Sequence, residues 1–455
     1  SKHVLEVDGR SILIDCGAFQ GSRAEADRKN REFGIEADKI ESVILTHAHY
    51  DHCGLLPLLV KKGYTGNIYA TPASRDLASL IMMDSANIQA RDAEYHRKQA
   101  AKKGQKFTWQ PLFTEADVVQ AANQMVTVSY NREVYVTPDI KLEFYDAGHI
   151  LGSAFASLTI NRRQGSEPLR IVYTGDLGRK NKPIIRDPMT VPAPDYVVME
   201  STYGNRLHED SQVAMDELAA AVNRAVKMKG KILIPSFAIE RTQELVYYFH
   251  MLVDQKRIPK IPIYVDSPMA TNATSIFQVH PECYDQETHE AFLKHHKNPF
   301  GFNELSFTTS VAESKSLNDK PGPMVIISAD GMCEAGRIVH HLANNISDPD
   351  TTILLVGFMA DHTLGRRIQN GEKRVRIMNE WYDVNAQVTR INAFSAHADY
   401  RESIEWLDSL DTSRLKKIFM VHGEPDAQGA FAEHLAEAGY RDVEIVKYGK
   451  TYEIE

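Results

Sequence analysis

The chain has 455 residues, 43% hydrophobic and 25% charged, with a net charge of −9. That length exceeds one ordinary core and predicts two or three domains, and the composition excludes a disordered or low-complexity protein. The acidic balance excludes a protein that coats nucleic acid indiscriminately, though not a nuclease whose positive potential is local.

No apolar run is long enough to span a bilayer and no secretory signal is recognisable, so no membrane association is expected. Cys16, Cys53, Cys283 and Cys333 are scattered without a C-x-x-C pair. This argues against a disulfide framework and a thiolate zinc knot and fits a reducing cytoplasm. Any metal site is then built from His and Asp.

In chain order, "SKHVLEVDGRSILIDCG" is strand-like from its first residues, which implies a further strand before Ser1. "RSILIDCG" and "ESVILTHAH" read as buried strands. "HCGLLPLLVKKG" reads as a helix ending at Gly63. Residues 76–125 are helical in composition, and their basic stretch "YHRKQAAKKGQK" (95–106) reads as a solvated helix end. "KLEFYDAGHI", "AFASLTI", "LRIVYTGDLG" and "DYVVMEST" supply further strands, each ending in polar residues. From about residue 207, helices such as "MDELAAAVNRAVKMKG" alternate with strands such as "KILIPS", "IPIYVDSP", "PMVIISAD" and "TTILLVGF". That alternation predicts βαβ units on a parallel sheet. After "LGRRIQNG" the style of the first 200 residues returns with "QVTRINAFSAHAD", "KKIFMVHGEP", the helix "AQGAFAEHLAEAG" and "VEIVKYG".

Four segments deliver a polar side chain at the end of an apolar strand. They are "ILTHAHYDH" (His47, His49, Asp51, His52), "YDAGHILGS" (His149), "VYTGDLG" (Asp176) and "IFMVHGEP" (His422). Alone, His149 or His422 reads as a structural histidine; beside the dense motif they read as ligands. His47, His49 and His149 fill three positions of one ion, Asp51, His52 and His422 three of a second, and Asp176 bridges them. Such donors without thiolate favour zinc, with manganese or iron as weaker alternatives. Two divalent ions less two ligand carboxylates attract a phosphodiester and supply a nucleophile at neutral pH.

"HAHYDH" with His149, Asp176 and His422 resembles the metallo-β-lactamase fold, an αββα sandwich with two zincs at one edge. Glu200 in "VVMESTYG", His397 in "INAFSAHAD", His422 in "VHGEP", and the segments "DSPMA", "GMCEAGRIVHHL" and "GFMADHTLGRRIQNG" are similar to its β-CASP nuclease branch. Within that branch the chain looks like the nuclease subunit of the pre-mRNA 3′-end cleavage factor and its prokaryotic RNA-processing relatives. The resemblance implies a metallo-β-lactamase domain over 1–206 and 375–455. A β-CASP cap over 207–374, built on a mainly parallel sheet with flanking helices, is inserted in it, with the site in the cleft. It implies a zinc-dependent ribonuclease acting on single-stranded RNA as an endonuclease, a 5′–3′ exonuclease or both. A homodimer or an RNA-processing complex is the expected source of specificity, and the cytoplasm the expected location.

The resemblance also implies roles for neighbouring residues. Asp15 orients the histidine loop, although a turn-forming Asp before Gly17 is the alternative. His397 is the general acid and Glu200 the carboxylate that holds it. Ser328, Gly331 and Arg337, where a helix is expected to open near Cys333 or Glu334, are candidate phosphate contacts, with a tight strand-to-helix turn as the alternative. Arg366 and Arg367 give a similar, weaker signal. Glu240 stands where many relatives carry a glycine before the Arg-Thr-Gln-Glu run. Competing readings are a small-molecule ester, thioester or lactam hydrolase and a DNA-directed β-CASP nuclease. A histidine at position 422 favours RNA over DNA by that analogy. A di-iron redox protein is disfavoured by His49, and an inactive scaffold by the intact ligand set.

Overall fold

The apolar runs become strands whose ends carry the polar residues. The structure is a computed structural model and describes residues 1–21, 23–162, 167–208, 211–294, 298–357, 359–391 and 394–455. Phe358 of "GFMADHTLG" and Asn392 and Ala393 of "INAFSAHAD" lie outside the described residues. Two units emerge: Ser1–Lys180, Asp187–Leu207 and His397–Glu455 form the first, Asn181–Arg186 and His208–Ala396 the second.

In the first unit, β1 (His3–Val7), β2 (Arg10–Ile14), β3 (Ile40–Ile44), β4 (Asn67–Ala70) and β5 (Met125–Thr127) form one sheet in that order. Only the β1–β2 pairing in it is antiparallel. The chain continues through β6 (Val134–Thr137), β7 (Ile140–Asp146), β8 (Ala154–Ile160), β9 (Leu169–Tyr173) and β10 (Tyr196–Glu200). It then passes into the second unit, with β11 (Lys231–Pro235), β12 (Ile263–Val265), β13 (Leu305–Phe307), β14 (Met324–Ser328), β15 (Thr352–Leu355), β16 (Arg374–Ile377), β17 (Glu380–Asp383) and β18 (Gln387–Arg390). It returns to the first unit for β19 (Lys417–Val421) and β20 (Val443–Ile445), completing a sheet of order β20-β19-β10-β9-β8-β7-β6.

The two sheets of the first unit face each other. Leu5, Ile12, Ile14 and Ile44 of one pack with Leu142, Phe144, Ala156, Leu158 and Ile171 of the other. Each of the larger side chains, Leu, Ile and Phe, contributes about 1.5–3 kcal/mol by leaving water. On the outer face of the second sheet, Phe155, Val172, Met199 and Met420 meet Trp406 and Leu407 of the helix Tyr400–Asp408 and Phe431 and Leu435 of the helix Pro425–Glu437. The helices Leu56–Lys61, Pro72–Lys102 and Glu115–Asn123 pack together beside the first sheet. The result is the expected αββα sandwich. "HCGLLPLLVKKG" departs from a single helix: it forms Tyr50–Cys53 and then Leu56–Lys61. Pro57 falls in the first turn of the second, where a missing N–H is tolerated.

The second unit is a parallel sheet of order β13-β12-β14-β11-β15-β18. β11, β14 and β15 are buried along their whole length, as expected of a parallel sheet with helices on both faces. This unit continues past residue 374, because β16 and β17 form a hairpin and β18 adds to β15. "QVTR" is an exposed edge strand whose hydrogen bonds belong to the second unit.

Direction positions the site. β19, β10 and β9 are parallel neighbours, and β7 runs the same way because two antiparallel pairings separate it from β9. The C-terminal ends of β7, β9, β10 and β19 therefore share one rim, the usual place for function in sheets with parallel strands.

Candidate metal centre

At that rim the described structure gathers all seven expected ligands in the first unit. Nε2 of His47 and Nε2 of His149 each lie 3.1 Å from Nδ1 of His49. Oδ2 of Asp176 is 3.3 Å from His47 Nε2 and 3.5 Å from His149 Nε2. The other carboxylate oxygen, Oδ1, is 3.3 Å from His52 Nε2 and 3.3 Å from His422 Nδ1. Nε2 of His422 is 3.1 Å from Asp51 Oδ2. The groups His47–His49–His149–Asp176 and Asp51–His52–His422 are each mutually within coordinating reach. A tetrahedral ion bound at ~2.0–2.1 Å sets its ligand atoms about 3.3 Å apart, so these spacings fit a metal.

Backbone and neighbouring side chains hold this arrangement. Asp15, at the end of β2, accepts from Thr46 N and Thr46 Oγ1 (both 2.8 Å) and pairs with His52 Nδ1 at 2.7 Å. It thereby fixes the loop after β3 and turns His52 Nε2 inward, as a carboxylate behind a metal-binding histidine does. Ser153 Oγ accepts from His149 N and Ile150 N, closing the turn between β7 and β8. Gly175, at φ +53°, lets the chain pass Thr46, whose Oγ1 an added Cβ would approach to 2.5 Å. Asp15 and His422 adopt left-handed φ of 58° and 51°, which non-glycine residues rarely do and which clusters at functional sites. Thr202 Oγ1 donates to the His422 carbonyl (3.1 Å) and stands 3.2 Å from its Nδ1. With its proton on that carbonyl, the hydroxyl can accept from Nδ1, which would make Nε2, 3.1 Å from Asp51 Oδ2, the ligand atom of His422. Thr46, Ser153 and Thr202 escape sequence reasoning; their one signal is a hydroxyl within four positions of a ligand or of an acid beside it.

Electrostatics separate the histidines. Burial opposes the charged form and holds His49 down at about 3, with His47 and His149 also lowered. His52 is buried too, yet the carboxylates of Asp176 and Asp15 outweigh burial and push it up to about 10. Burial would raise Asp176, but His422, His52 and His47 hold it well below the usual carboxylate range. A metal ion held here would take the place of the His52 proton. Buried Asp176 Oδ1 and His52 Nε2 have no hydrogen-bond partner. Two unsatisfied groups aimed at each other across 3.3 Å have the form of a cation site.

His397 joins the rim from the other side. Its Nδ1 lies 3.0 Å from Glu200 Oε2. Glu200 Oε1 also accepts Leu177 N at 2.6 Å, and Ala398 N donates to the Leu177 carbonyl. Burial opposes protonation of His397, but Glu200 outweighs it and raises the pKa to about 9. The side chains of His47, His52, His149 and Asp176 are at most 1% exposed, whereas those of His397, His422 and Asp51 are 20–30% exposed. The cluster thus has a closed floor and one open side.

Ser328, Gly331 and Arg337 lie elsewhere, in the second unit. Ser328 Oγ donates to the Asp266 carbonyl (2.9 Å), and Arg337 Nη1 to Asp266 Oδ1 (2.6 Å). The helix opens at Arg337, later than expected, because Asp330 folds the preceding turn by accepting from the N–H groups of Met332, Glu334 and Ala335. The backbone donors expected for a phosphate are therefore occupied by a carboxylate. Gly331 backs onto the Phe237 ring. Arg366 faces Asp361 and Arg367 pairs with Glu372. Glu240 is buried at the start of the helix Arg241–Asp254, whose Arg241 pairs with Glu244.

Three family models match the chain: the metallo-β-lactamase superfamily over residues 3–110, the Beta-Casp domain over 242–368, and the Zn-dependent metallo-hydrolase RNA specificity domain over 381–446. The chain is 34% identical to Ribonuclease TTHA0252 of Thermus thermophilus over 99% of its own length and 96% of that protein. It is 31% identical to the transcription termination factor FttA of Methanosarcina mazei, covering 97% of this chain and 67% of that protein. For FttA of Pyrococcus horikoshii the identity is 32%, covering 93% and 64%. The chain spans about two thirds of the length of these termination factors.

Proposed function

The chain belongs to the β-CASP branch of the metallo-β-lactamase-fold nucleases, and from that premise we propose that it hydrolyses phosphodiester bonds of single-stranded RNA using two zinc ions. His47, His49 and His149 would hold one ion, Asp51, His52 and His422 the other, with Asp176 within reach of both groups. The observation that supports this reading most directly is the division of the Asp176 carboxylate, one oxygen toward each histidine group. Bound divalent ions supply a nucleophile at neutral pH and neutralise charge on the phosphoryl oxygens.

The protein's own residues do the rest. Asp15 and Thr202 orient His52 and His422. The closed floor keeps bulk water from the buried ligands, and RNA approaches along the open side, where His397 stands. The Nδ1–H of His397 is held by Glu200, so the proton given to the departing ribose oxygen comes from Nε2. Attack by water yields a phosphomonoester and a free hydroxyl, and the proton lost by the water restores the one spent by His397. We assign target choice to a homodimer or an RNA-processing complex in the cytoplasm, which light scattering and pull-down from extract test.

A direct test is cleavage of matched single-stranded RNA, single-stranded DNA and a thioester, with zinc present. Rapid RNA cleavage alone supports the reading; a preference for DNA or the thioester overturns it. RNA carrying a 5′-monophosphate or a 5′-triphosphate, end-labelled and followed over time, separates internal cutting from digestion inward.

A further inference from the structure

The long helix Pro72–Lys102 touches the metal loop and then runs away from it. Tyr50, next to His49, places its hydroxyl 2.9 Å from Ser85 Oγ on that helix. At ~1.5 Å per residue, Arg91 lies about 9 Å beyond Ser85 and Lys102 about 25 Å beyond it. Between these points the helix carries Arg91, Tyr95, Lys98 and Lys102, all exposed. Their spacing of four, three and four residues confines them to an arc of about 60°. The opposite face holds the buried Ala86 and Ala93. His96 and Arg97, off the arc, pack on Trp109 and Phe107 of the segment that follows, which anchors the helix end.

We propose that this ridge is a docking track for single-stranded RNA, leading the strand from the helix tip toward the metal loop. The inference rests on the RNA reading above and adds a surface outside the metal centre. Residues 91–106 carry six Lys and Arg against two Asp and Glu, a local net of +4 in a chain of −9. Tyr95 stands 59% exposed among these cations. Cations alternating with an aromatic ring match what a single strand offers, phosphates and bases in turn. Lys98 is paired with Glu94 at 2.7 Å, but both side chains are largely exposed, so a phosphate displaces the carboxylate at little cost.

The test uses the full-length zinc-loaded protein. Arg91→Ala/Lys98→Ala/Lys102→Ala and, separately, Tyr95→Ala are compared with wild type for kcat/KM on RNA longer than ~16 nucleotides and on RNA of ~4 nucleotides. Binding of the long RNA is measured in parallel in the His397→Ala background over a range of salt. The triple variant is expected to make the plot of log affinity against log salt shallower by about 2, and Tyr95→Ala to weaken long-RNA binding about 5- to 150-fold. Both are expected to shrink the long-to-short ratio of kcat/KM, with Lys98→Arg/Lys102→Arg retaining it. An unchanged salt slope and an unchanged ratio overturn the track, including the case where the ridge instead binds a protein. Failure of the nuclease reading is distinguishable: wild type then cuts neither RNA, whereas the binding comparison still reports on the ridge.

Discussion

Each unit of the molecule buries a cluster of ionisable groups, and the two clusters are completed in opposite ways. In the second unit Asp266 accepts from the hydroxyls of Thr308 and Ser314 and from Arg337 and His341, while His341 Nδ1 meets Asn318. Every partner is protein. Burial would raise the Asp266 pKa, but these donors, led by His341, hold it at about 2. In the first unit Asp176 Oδ1 and His52 Nε2 face each other at 3.3 Å, and no hydrogen bond satisfies either. Three of its imidazoles and one carboxylate are shut away from water, and their spacing suits ligands better than hydrogen bonds. A closed network carries fold stability; an open one is finished by an ion.

That contrast breaks most sharply at Asp176. Asp176→Asn is expected to abolish bound metal and lower turnover more than ~10⁴-fold, beyond what a lost proton-transfer group accounts for. Metal analysis and single-turnover cleavage check it, and full occupancy would mean that the shared carboxylate is no ligand. His397→Ala should keep its metal and lose about 10²–10⁴ in turnover. Because His397 is raised, its proton is held at neutral pH and lost as pH rises through about 9. Glu200→Gln removes the group that raises it, so the alkaline fall in rate should move to lower pH, as a pH–rate profile reports.

Asp266→Asn tests the other cluster. It should cost about 3–5 kcal/mol in urea unfolding by leaving buried donors unmatched, with the metal content of the folded protein unchanged. The depressed pKa itself accounts for about 2 kcal/mol at neutral pH. That share is present above pH ~4 and fades as pH falls toward 2, so the gap between wild type and variant should narrow there. The smallest effect is expected at Thr202: Thr202→Val should weaken metal binding about 10–100-fold, whereas Thr202→Ser retains it. Titration against a competing chelator decides, and equal affinities would remove the hydroxyl from the site.

The gathering of the candidate ligands was legible because chemistry and placement coincide: a histidine or aspartate at the end of an apolar strand has few structural duties there. Asp176 could be read this way although its partner His422 is far along the chain. Arg337 could not. Its neighbours looked like a phosphate cradle, but Asp266 and Asp330 occupy its guanidinium and the nearby backbone, and charge pairing across 71 positions leaves no local trace. Thr202 was hidden for a similar reason, since its importance depends on β10 lying beside β19. The second unit continues past residue 374 through an exposed edge strand, β18, whose short polar sequence carries no local sign of the sheet it joins.

The pairing of β10 with β19 also governs when the protein becomes capable of harm. Glu200 sits opposite Val421, so roughly 220 residues must leave the ribosome between the first six candidate ligands and the seventh, or about 10–45 s at ~5–20 residues per second. Until His422 emerges, a nascent chain lacks one member of the candidate metal cluster. A nuclease tethered to its own messenger is thereby kept inert through most of translation by the order in which its strands are made.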